Sequence, residues 1–135
     1  MSNVSRLEKR ANIIKYIYQN ELMENPLDAV DAFESGDFSA QEVKVIENIA
    51  KNYLKFKKII IHFLKNSWDW TRVSPLERAI LIYGAYELTF NDKALVINEL
   101  VIITRGYIPG DSYKWINATL ESIGLYYEKQ KKTSN

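Results

Sequence analysis

Cysteine is absent from all 135 residues of the chain. Without a thiol there is no disulfide framework, no cysteine-ligated zinc or iron–sulfur centre and no thiol nucleophile, a usage that fits a reducing compartment. Histidine occurs once, glycine five times and proline three times. None of these falls into an HExxH helix, a P-loop or a GxGxxG turn. No window approaches the roughly 20 apolar residues of a membrane span. The polar first residues also lack the apolar core of a secretory signal. These absences predict a soluble cytoplasmic protein with no metal, no cofactor and no enzymatic activity; an enzyme of unknown chemistry is kept only as the last of three readings.

What is present begins with charge. Eighteen basic residues oppose 17 acidic ones, so net charge points to no partner, but the charges are segregated. Arg6, Lys9, Arg10 and Lys15 face Glu8 alone in the first 20 positions, residues 21–50 are acidic, and residues 51–66 hold five lysines and no acid. Such segregation can build a basic face on a neutral protein. The length suits one domain with a core of its own. It is expected over 1–127, followed by a frayed basic tail at 128–135.

Ser5-x-x-Glu8, Ser39-x-x-Glu42 and Ser74-x-x-Glu77 read as capping boxes, the last with Pro75 at the first helical position. Asn25-Pro26 marks a further start. Apolar residues recur after each at helical spacing, as in Leu7, Ala11, Ile14 and Ile17. Helices are predicted at about 5–22, 26–35, 40–66, 75–89, 94–107 and 112–127, the third with a bend or break, and no hairpin signature appears. The fold class is all-α.

Three polar residues interrupt apolar helices near the C-terminus. Asn98 and Glu99 sit between Ile97 and Leu100, and Asn117 follows Ile116. Buried polar groups persist only when hydrogen-bonded, so at least one of Asn98 and Glu99, and Asn117 likewise, is predicted to turn inward, the three lying near one another at helix ends as structural ties. Between them, Pro109-Gly110 breaks the chain and Asp111 or Ser112 caps the next helix. Lys114 and Trp115 then put a cation beside an aromatic plane in a first turn, an arrangement suited to phosphate contact and base stacking. His62, among Ile60, Ile61, Phe63 and Leu64, is expected at the core or its boundary, and Trp68 and Trp70 under a loop.

Taken in order, KRANIIKYIYQNEL, SPLERAILIYGAYEL and VINELVIITRGYIPGDSYKWINATLESI resemble the motifs of the NusB family of transcription antitermination factors. The resemblance spans nearly the whole chain; residues 24–50 share only helical character. It implies a bundle of about six to seven helices in two three-helix subdomains. It implies partners as well: the ribosomal protein NusE, boxA-type single-stranded RNA and the RNA polymerase elongation complex, with a homodimer among the states the family shows. The family's basic RNA patch falls on Arg6, Lys9 and Arg10, with Lys15 beside it. Its first-helix aromatic falls on Tyr18, its helix-start glutamate on Glu77 and its Lys-Phe on Lys114 and Trp115. Asp111, with Ser112, takes the place of the partner contact. Glu8 interrupts the basic run, Lys15 stands where a glutamine is usual, Ile82 replaces an arginine and Ala118 a glycine; these departures lower the expected RNA affinity and leave the fold untouched. The competing readings are a protein-binding helical module without RNA affinity and a stand-alone version of the RNA-binding domain of ribosomal RNA cytosine methyltransferases.

Overall fold

Two of the three capping boxes close as the sequence implies. In the computed structural model, which describes residues 3–64 and 69–134, the Glu42 N–H donates to Ser39 Oγ at 3.1 Å and Glu42 Oε1 accepts the Ser39 N–H at 2.9 Å. Ser74 and Glu77 repeat the exchange at 3.3 and 3.0 Å, behind Pro75. The remaining one, Ser5–Glu8, does not mark a helix start, because the first helix already runs from Asn3.

The described residues form seven α-helices and one short 3-10 turn, with no strand. They are α1 (Asn3–Met23), α2 (Ala29–Ser35), α3 (Ala40–Lys51), α4 (Tyr53–Phe63), the turn Trp70–Arg72, α5 (Pro75–Glu87), α6 (Lys93–Tyr107) and α7 (Ser112–Ser134). No described helix is long and apolar enough to cross a membrane. The break inside 40–66 falls at Asn52, whose Nδ2 donates to the Asn48 carbonyl at 2.9 Å and competes with the helical ladder there. The predicted start at Asn25-Pro26 is three residues early; Asp28 caps α2 instead, accepting from Val30 N–H at 2.9 Å. The expected fraying from Glu128 does not occur either, since α7 runs on to Ser134. Trp68 lies outside the described residues, whereas Trp70 packs half-buried between Lys57 and Arg78, each 5.6 Å from its ring centroid.

α5 is the spine. Every residue from Ala79 to Ala85 is buried, as a helix surrounded by others requires. α1 lies antiparallel along it, with Arg10 against Glu87 at one end and Arg78 against Glu21 at the other. α7 runs parallel to it, from Ser112 bonded to Glu77 to Tyr127 Oη donating to the Ala85 carbonyl at 3.0 Å. α2 packs on α3, α4 packs on both α5 and α7, and α6 packs on α5 and α7. The two expected three-helix groups, α1–α3 and α5–α7, therefore share one continuous core.

The α5–α7 approach depends on Gly84. A Cβ there would stand 2.5 Å from Leu120 Cδ2 and 2.9 Å from Leu100 Cδ1, two fully buried side chains. Gly84→Ala gains up to about 1 kcal/mol in helix propensity, but overpacking a close-packed core costs about 1–3 kcal/mol. The substitution is expected to lower the urea midpoint with an unchanged m-value; a raised midpoint would show that the two leucines yield without strain.

Candidate nucleic-acid interface

The basic first helix divides its cations between core and surface. Arg10 is 8% exposed. Its Nε and Nη2 donate to the two carboxylate oxygens of Glu87, each at 2.7 Å, in a fork-to-fork pair. Burial works against the Glu87 charge, but the hydrogen bonds and charge of Arg10, with further bonds from Asn91 and Tyr83, outweigh it and hold the Glu87 pKa below the ordinary glutamate range. The Glu99 carboxylate, itself buried, adds its field at Arg10. Arg10 is therefore committed to Glu87, and although it lines the neighbouring groove its guanidinium is largely enclosed.

Arg6 and Lys9 stay exposed on the neighbouring surface of α1. They rim an open groove of about 460 Å³ between α1, α3 and the end of α5. Its aromatic wall consists of Tyr83, Tyr86 and Phe90. Tyr86 and Phe90 meet edge to face at 5.2 Å, and Phe90 is 61% exposed. On the α3 side, the charge of Lys9 helps hold Glu42 below its ordinary pKa, against its burial and together with bonds from Ser39 and Asn12. Phe90 is the aromatic the sequence reading missed. Nothing local distinguishes it, since it follows the C-terminus of α5 and meets the basic residues only because α1 is antiparallel.

The other proposed residues lie elsewhere. Lys15 is exposed farther along α1, its ammonium 6.0 Å from the Tyr107 ring centroid at the end of α6. Tyr18 is half-buried against the core. Glu77 is buried: besides closing its capping box it accepts the Ser112 hydroxyl at 2.8 Å. That bond ties the N-termini of α5 and α7, so Glu77 and Ser112 are structural where RNA and partner contacts were expected. At the same end Lys114 and Asp111 are exposed and 3.7 Å apart, and Trp115 is half-buried against the core.

Among the three polar intrusions only Glu99 turns inward. Glu99 meets the expectation for its pair, with Asn98 exposed beside it, whereas Asn117 is exposed within its helix, which corrects the expectation of a buried tie there. His62 is also exposed, 4.8 Å from the Phe63 ring centroid, rather than in the core. Ile82, where the family pattern carries an arginine, is wholly enclosed. That position does not face the basic surface, and the substitution removes no cation from it.

The described residues form a helical bundle built on a central helix, with a groove at one end lined by cations, two carboxylates and aromatic rings. Residues 7–124 match the NusB family, and the chain belongs to it. A transcription antitermination protein NusB of Methylacidiphilum infernorum is 28% identical over 131 residues, covering 89% of this chain and 90% of that protein. The protein of the same description in Macrococcus caseolyticus is 30% identical over 128 residues, covering 89% and 96%. That of Fusobacterium nucleatum is 36% identical over 89 residues, covering 64% and 55%.

The buried pair makes a stability prediction. Removing one partner of such a pair leaves an uncompensated charge and costs about 3–5 kcal/mol, so Arg10→Ala is expected to lower the denaturation midpoint sharply. Because the folded-state pKa of Glu87 is depressed, its contribution is fully present above the ordinary glutamate value. It is lost as pH falls from about 4.3 toward the lower folded value. Urea midpoints of the parent protein should decline through this acid window, and Glu87→Gln should flatten the decline. Equal acid slopes for parent and variant would show that Glu87 is not held ionised.

Proposed function

We propose that this chain is a non-enzymatic, cytoplasmic transcription antitermination factor. It binds boxA-like single-stranded RNA together with the ribosomal protein NusE and acts on the elongating RNA polymerase. The observation that carries the reading is the groove lined by Arg6 and Lys9 together with Tyr86 and the exposed ring of Phe90. Cations that follow a phosphate backbone, set beside rings that accept bases, are what sequence-tolerant single-strand binding requires. Membership of the family and the names of the relatives support the same reading.

The partner contact is assigned to Asp111, at the end of the bundle opposite the aromatic groove. Asp111 is exposed ahead of α7, and Asn would serve as well in that position. Asp111→Asn is expected to change NusE affinity with helicity intact. The second reading, a protein-binding module without RNA affinity, draws on the withdrawal of Arg10 and Glu77 into the core.

A fluorescence titration with boxA-like RNA, with and without NusE, separates the two. Arg6→Glu and Lys9→Glu should each weaken binding at low salt, and each lost phosphate contact should flatten the log–log salt dependence by about 0.7. Phe90→Ala should cost about 1–3 kcal/mol of RNA affinity with the salt slope unchanged. If none of the three moves the RNA affinity of the NusE-bound protein, the protein-only module is the correct reading.

A further inference from the structure

α4 and the last turns of α7 leave a second groove, of about 1040 Å³. Its apolar surface is unusually open to solvent. Leu54 is 71% exposed, Ile61 43% and Tyr126 40%, and Phe63 meets Tyr126 with ring centroids 6.0 Å apart. Lone apolar residues on a surface need no explanation, but a contiguous patch rimmed by polar groups marks an interaction site. The rim here has one sign. Lys55 and Lys58 stand one turn apart on α4, Lys57 and His62 line the same groove, Lys131 is contributed by α7, and among the described residues no carboxylate lines it.

From this we infer a docking site for an acidic amphipathic helix supplied by a protein partner. It is distinct from the RNA groove and goes beyond the function proposed above. Charge complementarity selects the acidic partner: a segment with Glu or Asp flanking an apolar stripe places its carboxylates on the lysine rim while its stripe covers Leu54 and Ile61. The groove is at the upper limit of small-molecule sites. α4, with 11 residues, is about 16 Å long, which matches roughly three turns of a helix laid along it. Leu54 and Ile61, aliphatic and exposed, match the apolar stripe of a helix, while Phe63, Tyr126 and the lysines make nucleic acid the competing occupant that the test separates.

The test is fluorescence anisotropy with a labelled, helix-forming Leu/Glu peptide whose leucines share one face, against a scrambled peptide of the same composition. The patterned peptide is expected to bind at least about tenfold more tightly than the scrambled one, and Leu54→Ser and Ile61→Ser each to weaken it severalfold. Leu54 is largely solvent-exposed, so its replacement leaves the core intact, with circular dichroism as the check. Lys55→Glu with Lys58→Glu should weaken binding and reduce its dependence on salt. The boxA-like RNA titration should be unchanged by Leu54→Ser and Ile61→Ser, so failure here is separable from failure of the RNA reading. Equal binding of the two peptides, or indifference to Leu54→Ser, overturns the inference. Loss of RNA binding in the serine variants would assign the groove to nucleic acid and overturn it too.

Discussion

The Arg10–Glu87 pair ties α1 to the end of α5, the contact on which the basic surface depends. Desolvating two charges costs several kcal/mol per ion, and their attraction offsets that cost only in one geometry. The fork of two 2.7 Å bonds is that geometry. Sliding α1 by one turn along α5 would leave both charges buried without partners, so the pair discriminates against neighbouring registers more strongly than apolar packing could. At the far end Arg78 repeats the constraint with polarity reversed. It donates to Glu21 at 2.7 Å and to the Val73 carbonyl at 2.8 Å, while the Tyr53 hydroxyl bonds to the same glutamate. One pair has its base on α1 and the other its base on α5, and only the antiparallel arrangement satisfies both.

That constraint explains which cations reach the surface. In sequence, Arg6, Lys9 and Arg10 are equivalent members of a basic run, and their spacing permits all three to face a ligand. Arg10, however, lies one turn before Ile13 and Ile14 and two before Ile17, all buried. A cation in that stripe must find a carboxylate. Glu87 sits in the matching stripe of α5, one turn past Tyr83. The clue was available, since an acid closing an otherwise apolar run is as anomalous as a base opening one. Joining the two required the helix pairing, which no local pattern carries.

The same division between local and long-range physics runs through the rest of the chain. Ser39–Glu42, Ser74–Glu77 and the Asn52 break are legible because each is decided by atoms within a few residues. The Ser112–Glu77 bond was legible only in halves: both residues read as helix-start residues, while their bond spans 35 positions. Asn117 misled for a different reason. Successive helical residues are about 100° apart, so an amide next to a buried Ile97 or Ile116 can still face water. Adjacency to apolar residues says little about burial, and only the period does.

The surface that remains after these internal commitments bears on how RNA would be held. Arg6 and Lys9 amount to two phosphate contacts, enough on the proposed reading for a salt slope of only about 1.4 on a single strand. Lys15 lies about 9 Å farther along α1 than Lys9 by helical rise, beside Tyr107 rather than beside the aromatic groove. A strand contacting both places would follow α1 toward the end where Asp111 and Lys114 are exposed. A partner seated there, bringing cations of its own, would hold the strand at two points joined by the rigid α5. The second contact then forms at a high effective concentration rather than from free solution. On the proposed reading, the isolated protein would therefore bind RNA weakly and the partnered complex more tightly, with α5 as the fixed span between the two contacts.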